Sequence, residues 1–356
     1  MITIIFEAHS TTLDNENHVS SGHFDVELSP LGLQQSEELG ERYKDAQFDA
    51  VFCSDLQRSF DTAEIAFAGR NIPIIRDSRL RECDYGDLTR HPSSEVDREK
   101  PLRIVTPFPG GESYVQTAAR VLDFLEDLAK DYDGKTVMII GHRANQYGLD
   151  QWIGGKWPDE AVTAPWKWQP GWTYKLYISP APYAYKMRVV ALPLTISGLN
   201  PRIEFEGKPY IAKTEAHISL VMVRRLLPTL IEKGLSEELA EQRVMETINK
   251  GLEFFNPRFE GLTGALRLGQ FEDRYSIVAM AKVSNIDEFY DYVNKELGLA
   301  LEIPPVHITL YTAPNEKAIG LVNSKDLASK TNDLSSDQQD KLKESINYSA
   351  LTVSIG

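Results

Sequence analysis

Cysteine is scarce in this chain. Only Cys53 and Cys83 stand among 356 residues. Their spacing fits neither a metal finger nor a disulfide framework, so a reducing cytoplasm is the expected compartment. Long apolar runs are also missing: none approaches the roughly 20 residues that a membrane helix needs, so no membrane partner is expected. The opening MITIIFEAHS has no basic flank and reads as a first strand rather than a signal peptide. Positive charge is short as well. The formal net charge is −14, and acidic side chains outnumber basic ones in both halves. That excludes a surface built to neutralise duplex DNA. It leaves room for a small phosphorylated substrate, or a nucleotide or RNA end in a local basic pocket. The 7 histidines are dispersed, without metal-ligand spacing, so neither a metal nor another cofactor is expected. The oligomeric state is left open.

What is present suits two globular domains. Apolar residues make up 42% and charged residues 25% of a chain too long for one comfortable core. Residues 2–6, 49–53 and 136–140 are short, β-branched and apolar, as buried parallel strands are. Amphipathic stretches at 30–45, 58–68 and 113–131 alternate with them. The expectation is a three-layer α/β/α domain with a mostly parallel sheet over residues 1–197. The Pro-rich stretch 89–112 reads as a lid or insertion loop. Residues 151–172 hold all 5 tryptophans, and read either as a packed excursion or as a base-stacking wall. Residues 196–208, with turn signals at Ser197-Gly198 and Asn200-Pro201, read as a linker. Beyond them, over 198–356, strands at 217–223, 275–283 and 306–312 alternate with helices near 224–233, 236–254 and 286–297. The polar tail at 323–346 reads as a surface loop and a helix.

In an open parallel sheet, ligands bind beyond the carboxyl ends of the strands. The first strand ends in Glu7-Ala8-His9-Ser10, the second in Cys53-Ser54-Asp55 before a helix carrying Arg58, the third in Gly141-His142-Arg143. An imidazole can attack phosphorus, an arginine fork suits phosphoryl oxygens, and a second imidazole can stabilise transferring charge. A carboxylic acid must protonate the leaving alkoxide, and Glu82 in LRECDYGDL is the best-placed candidate.

These segments resemble the histidine phosphatase superfamily, which includes the phosphoglycerate mutases. The likeness covers residues 1–195. His9, Asn15, Gly22, Asp25, Leu28 and Gly32 fall on the opening motif. CSDLQRSFDTAE, RECDYGDL, GGES and IGHR match the later motifs in family order. The resemblance implies His9 as nucleophile, Arg58 and His142 as the phosphate pocket, Asn15 as a substrate contact and Glu82 as proton donor. One departure stands out. The family's arginine before the nucleophile is Ala8 here, and its glycine after it is Ser10. Arg143, where the family has glycine, is the candidate stand-in from across the pocket.

A second pattern lies in the carboxy-terminal half. His217 and Ser219 are two apart in HISL, and His307 and Thr309 in HITL. Residues i and i+2 of a strand point to one face. Two such strands bring two imidazoles and two hydroxyls to one cleft, enough for acid–base work on a phosphodiester without a metal. The pattern resembles the two-histidine phosphoesterase superfamily over residues 203–356. That implies a bilobal α+β domain, His217 and His307 as catalytic pair, and Ser219 and Thr309 as phosphate contacts. Lys208, Lys213 and Arg267 are further candidate phosphate contacts.

Together the halves suggest a bifunctional phosphate-ester hydrolase. The carboxy-terminal domain would open a cyclic phosphodiester, and the amino-terminal one would remove the resulting monoester. Two alternatives stand beside it. In one, the amino-terminal domain is a degenerate phosphate sensor. In the other, the protein is a sugar-phosphate phosphatase with a regulatory carboxy-terminal domain.

Overall fold

The computed structural model describes residues 1–213, 216–314 and 318–355. The chain divides into two compact units, Met1–Ile178 and Ser179–Gly356.

In the first unit, the β-branched runs form strands β1 (Ile2–Ala8), β2 (Ala50–Cys53), β3 (Ile74–Arg76) and β4 (Thr136–Gly141). These four run parallel to one another. An antiparallel edge strand, β5 (Trp172–Leu176), completes the order β3-β2-β4-β1-β5. Seven helices accompany them: α1 (Leu13–Glu16), α2 (Pro30–Arg42), α3 (Gln57–Ala66), α4 (Ser93–Glu99), α5 (Tyr114–Asp131), α6 (Arg143–Trp152) and α7 (Pro158–Thr163). The strand pleat sorts alternate side chains to opposite faces. Phe52 and Ile139 pack with Val121, Phe124 and Leu125 of α5 and Leu149 of α6. Val51, Cys53, Met138 and Ile140 pack with Leu39 of α2 and Ala63 of α3. The unit is therefore three layers, with helices on both faces of the sheet. Ala8 pairs with Gly141 and Cys53 with Ile140, so β1, β2 and β4 end at one rim.

Helix α2 starts where local chemistry dictates. Ser29 caps it by accepting from the Gly32 amide, and Pro30 occupies the first turn. A Cβ on Gly32 would lie 1.9 Å from the Thr11 carbonyl oxygen. Only glycine lets α2 approach the loop after His9 this closely. Gly32→Ala should destabilise the unit by about 1–3 kcal/mol or more through overpacking. Denaturant unfolding checks this, and an unchanged midpoint would contradict the close approach.

The stretch 89–112, read as a lid or insertion loop, carries regular structure. It contains α4 and a single 3₁₀ turn at Lys100–Leu102. Among the described residues, no helix is long and apolar enough to cross a membrane.

The second unit is built from antiparallel strands. One sheet has β10 (Ala216–Met222), β7 (Val189–Ser197) and β15 (Thr352–Ile355) in that order, with β6 (Ala184–Lys186) also pairing β7. The other has the order β14-β11-β12-β13-β9-β8. Its strands are β8 (Arg202–Phe205), β9 (Lys208–Ala212), β11 (Phe259–Phe271), β12 (Arg274–Val283), β13 (His307–Ala313) and β14 (Thr331–Asp333). Helices α8 (Val223–Glu232), α9 (Glu237–Phe255) and α10 (Ile286–Leu297) bury Leu227, Val244, Ile248, Phe289 and Val293. Helices α11 (Ser324–Lys330) and α12 (Ser336–Ser345) lie in the polar tail.

The division at 178/179 falls earlier than the expected 197/198. Strand β7 pairs with β10 and β15, so residues 189–197 belong to the second unit. The expected linker 196–208 instead holds the end of β7, a turn and β8, which forms a hairpin with β9.

Candidate active site

A cavity of about 590 Å³ opens at the common rim of β1, β2 and β4. His9, Asn15, Arg58, Glu82, His142 and Arg143 all line it. Every candidate residue proposed for the amino-terminal unit is thus gathered at one place, although the chain separates the first from the last by more than a hundred positions.

His9 comes directly after the last residue of β1. Its amide donates to the Gly141 carbonyl at 2.9 Å, which ties the end of β1 to the end of β4. The ring Nδ1 lies 2.7 Å from the Ser10 carbonyl oxygen. A carbonyl only accepts, so Nδ1 carries the proton and Nε2 keeps its lone pair. Ser10 is itself braced: its amide donates to Thr62 Oγ1 and its hydroxyl accepts from Ser36. The His9 and His142 rings meet edge to face, with centroids 4.9 Å apart. His142 is 1% exposed, and among the described residues neither ring nitrogen has a hydrogen-bond partner.

Arg58 is 2% exposed. Its two terminal nitrogens donate to the carbonyls of Gly22 at 2.8 Å and Phe24 at 3.0 Å. Gly22 adopts φ +53°, the left-handed turn that glycine favours. Among the described residues Arg58 forms no ion pair with a carboxylate. A buried guanidinium held only by carbonyls creates a strong field for an anion. Burial, and then the Arg58 charge, lower the His9 pKa to about 3, opposed by the contact with Ser10. Burial, Arg58 and His9 push His142 well below its ordinary value.

Both imidazoles are therefore neutral at pH 7, the form that can attack phosphorus or donate to a phosphoryl oxygen. Imidazole NMR should show no titration of either ring between pH 5 and 8. An inflection near 6.5 would contradict this environment. Stability depends on the same shifts. Only the unfolded chain takes up these protons as pH falls below about 6.5, so acidification destabilises this unit.

Glu82 Oε1 accepts from the amides of Cys83 at 2.7 Å and Ala144 at 3.2 Å, so the start of α6 orients it. Asn15 Oδ1 accepts from the Thr12 amide within the cap of α1, which leaves its amide nitrogen for a ligand. Arg143 opens α6. Its guanidinium lies 3.8 Å from Asp97 and faces the rings of Trp166 and Tyr147.

Some lining groups were not apparent in the sequence. Arg42 of α2 reaches the cavity beside Ala8, held by the buried Glu7 carboxylate at 2.8 Å, which also accepts from Tyr43. Lys100 comes from the 3₁₀ turn and pairs with Asp97. Burial and the Arg143 charge lower its pKa. Trp166 and Trp168 form part of the wall.

In the second unit, His217 and His307 lie on strands of different sheets that run against each other, β10 and β13. Ile218, Leu220, Ile308 and Leu310 are buried, while His217, Ser219, His307 and Thr309 stand on the opposite, more accessible sides of their strands. His307 Nδ1 lies 2.6 Å from the Pro305 carbonyl oxygen, which leaves Nε2 with the lone pair. Burial lowers the pKa of His307. A cavity of about 340 Å³ is lined by Ser219, Arg225 and Tyr290, but not by His217, His307 or Thr309. Arg267 is taken up by Thr331 and Asp333, and Lys208 lies over the Tyr275 ring.

A model of the histidine phosphatase superfamily (branch 1) matches residues 4–158. The chain is 30% identical over 159 residues to the protein named "Uncharacterized phosphatase PhoE" of Bacillus subtilis (strain 168), a match covering 45% of this chain and 81% of that one. It is also 30% identical over 154 residues to a 2,3-bisphosphoglycerate-dependent phosphoglycerate mutase of Cytophaga hutchinsonii, covering 40% and 72% respectively. Among solved structures, YhfR of Bacillus stearothermophilus aligns with a TM-score of 0.43 at 25% identity, over 48% of this chain and 88% of that one. The second unit lies outside the residues matched by the family model.

Proposed function

The chain belongs, through its amino-terminal unit, to the histidine phosphatase superfamily, and from that premise we propose that this unit hydrolyses a phosphate monoester through a phosphohistidine on His9. The observation that carries the reading is the buried Arg58, without a carboxylate partner among the described residues, beside two neutral imidazoles. His9 Nε2 attacks phosphorus in line, and the bond to the leaving oxygen breaks. Glu82 gives that oxygen its proton. Arg58 and His142 hold the non-bridging oxygens as charge gathers on them. In the second step Glu82 takes a proton from water, the hydroxide attacks phosphorus, the bond to His9 breaks and inorganic phosphate leaves.

Ala8 removes one guanidinium from this arrangement. Arg143 supplies a positive charge from α6, and Arg42 a second from α2, both at the cavity wall. The purified chain should release phosphate from a small monoester such as para-nitrophenyl phosphate. Tight phosphate binding without turnover would favour the sensor alternative, in which Ala8 marks a lost clamp.

For the second unit we propose hydrolysis of a cyclic phosphodiester by His217 and His307, on a nucleotide or RNA end. Support comes from the adjacency of β10 and β13, the polar face shared within each motif, and the fixed tautomer of His307. The product of that ring opening is a monoester of the kind the first unit would hydrolyse.

A further inference from the structure

The cavity of the first unit is larger than phosphate needs. Its volume of about 590 Å³ is of the size that encloses a whole drug-sized ligand, whereas His9, Arg58 and His142 make up only part of its lining. Part of the remaining wall is aromatic. Trp166 is 37% exposed and Trp168 53%, and both line the cavity. Trp166 is held in place. The Trp166 indole nitrogen donates to Gln146 Oε1 at 2.8 Å. Its ring lies 6.1 Å from Trp172 at an interplanar angle of 31°, and Trp172 in turn packs on the buried Phe6. The guanidinium of Arg143 lies 5.5 Å from the Trp166 centroid, and that of Arg42 lies 5.8 Å from Trp168. Trp166 is thus anchored to the core and to a cation, Trp168 lies against the Arg42 guanidinium, and both still present surface to the cavity.

We propose that Trp166 and Trp168 form a stacking subsite for the base of a nucleoside monophosphate whose phosphate sits at His9. The proposal rests on the monoesterase reading of this site and names its substrate class. A heterocycle offers a flat π face that an aliphatic leaving group lacks, and an anchored indole costs little entropy to receive it. Glu38 and Asp97 also line the wall, and the carboxylate oxygens left over from their contacts with Gln34 and Lys100 are acceptors for an exocyclic amino group. The carboxy-terminal unit, read as opening a cyclic nucleotide, would deliver such a monophosphate.

The test uses the full chain, with 2′-, 3′- and 5′-adenosine monophosphate compared against glycerol 2-phosphate. The best nucleotide should be preferred in kcat/KM by about 10-fold or more. Replacing Trp166 or Trp168 by alanine should shrink that preference by about 5-fold or more, the low end for losing one base stack, toward equal rates on both substrates. Trp166→Phe should keep most of it, which separates lost stacking from damaged folding. Equal rates on nucleotides and glycerol 2-phosphate, or a preference unchanged in both alanine variants, would overturn the proposal. A titration without turnover distinguishes it from the monoesterase reading. Adenosine monophosphate should quench tryptophan fluorescence in the His9→Ala protein, and lose that quenching when Trp166 is also replaced. If the wild type hydrolyses no monoester, the monoesterase reading fails while this titration still decides the subsite: quenching lost with Trp166 supports it, and no quenching refutes it.

Discussion

His9→Ala is expected to abolish monoester hydrolysis by the full chain, with a fall on the order of 10⁴- to 10⁶-fold, the range for removing a nucleophile that works as part of a unit. The reason is geometric. Nδ1 is committed to the Ser10 carbonyl, so Nε2 is the atom left to attack. The backbone around His9 is clamped by Gly141, Thr62 and the approach of α2, which fixes where that atom points. The same variant should leave the opening of a cyclic phosphate within a few-fold of wild type, since that chemistry is assigned to the other unit. Residual monoesterase activity within 10-fold of wild type would mean that another group is the nucleophile.

The second large effect concerns the paired strands. His217→Ala and His307→Ala should each lower the opening of a nucleoside 2′,3′-cyclic phosphate by about 10²- to 10⁴-fold, the usual contribution of one general acid or base. His307 fits the base: Nδ1 donates to Pro305, Nε2 is free to take a proton, and burial keeps the ring neutral. His217 is then the acid. The rate should be bell-shaped in pH. Because burial lowers the His307 pKa, the acid limb should lie below the ordinary imidazole value of about 6.5. The double variant should be little worse than either single one, because groups acting as a unit are not additive. Ser219→Ala and Thr309→Ala should cost about 10²- to 10³-fold each, one phosphoryl hydrogen bond apiece. Near-wild-type rates for both histidine variants on every cyclic phosphate tried would remove this activity from the second unit.

Much of the first site was legible because its residues sit at strand ends. Runs such as TVMII are apolar on both faces, which only a sheet covered by helices on both sides needs. The residues just beyond such a run fall at the ligand-binding rim. His9, Arg58 and His142 could therefore be placed together from sequence alone. Glu82 and Asn15 were legible through motif likeness rather than through any strand. The Glu7–Arg42–Tyr43 cluster was not, because a buried carboxylate meeting a helix 35 residues on leaves no local pattern. Lys100 was hidden for a similar reason, inside a Pro-rich stretch that reads as loop.

The tryptophan stretch kept two readings open, a packed excursion and a base-stacking wall, and the stacking reading is a proposal. Trp172 packs on Phe6, while Trp166 and Trp168 face the cavity. The boundary between the units was misplaced because turn signals mark where a chain reverses, not which sheet its strands join. Ser197-Gly198 and Asn200-Pro201 do mark a turn, but β7 before it already pairs with β10. In the second unit the period-two alternation of HISL and HITL matches the burial of both strands. Alternation sets which face a side chain takes. It does not set the distance between two strands of different sheets.

The central claim is covalent: phosphate passes through His9. Rapid acid-sparing quench of the full chain with a ³²P-labelled monoester, and then peptide mapping, tests it most directly. The account predicts acid-labile, alkali-stable label on the peptide carrying His9, absent in His9→Ala and, with an activated monoester whose leaving group needs no proton, accumulating in Glu82→Gln, where the water step lacks its base. Turnover of the monoester with no labelled peptide, or with label on any other residue, would contradict it.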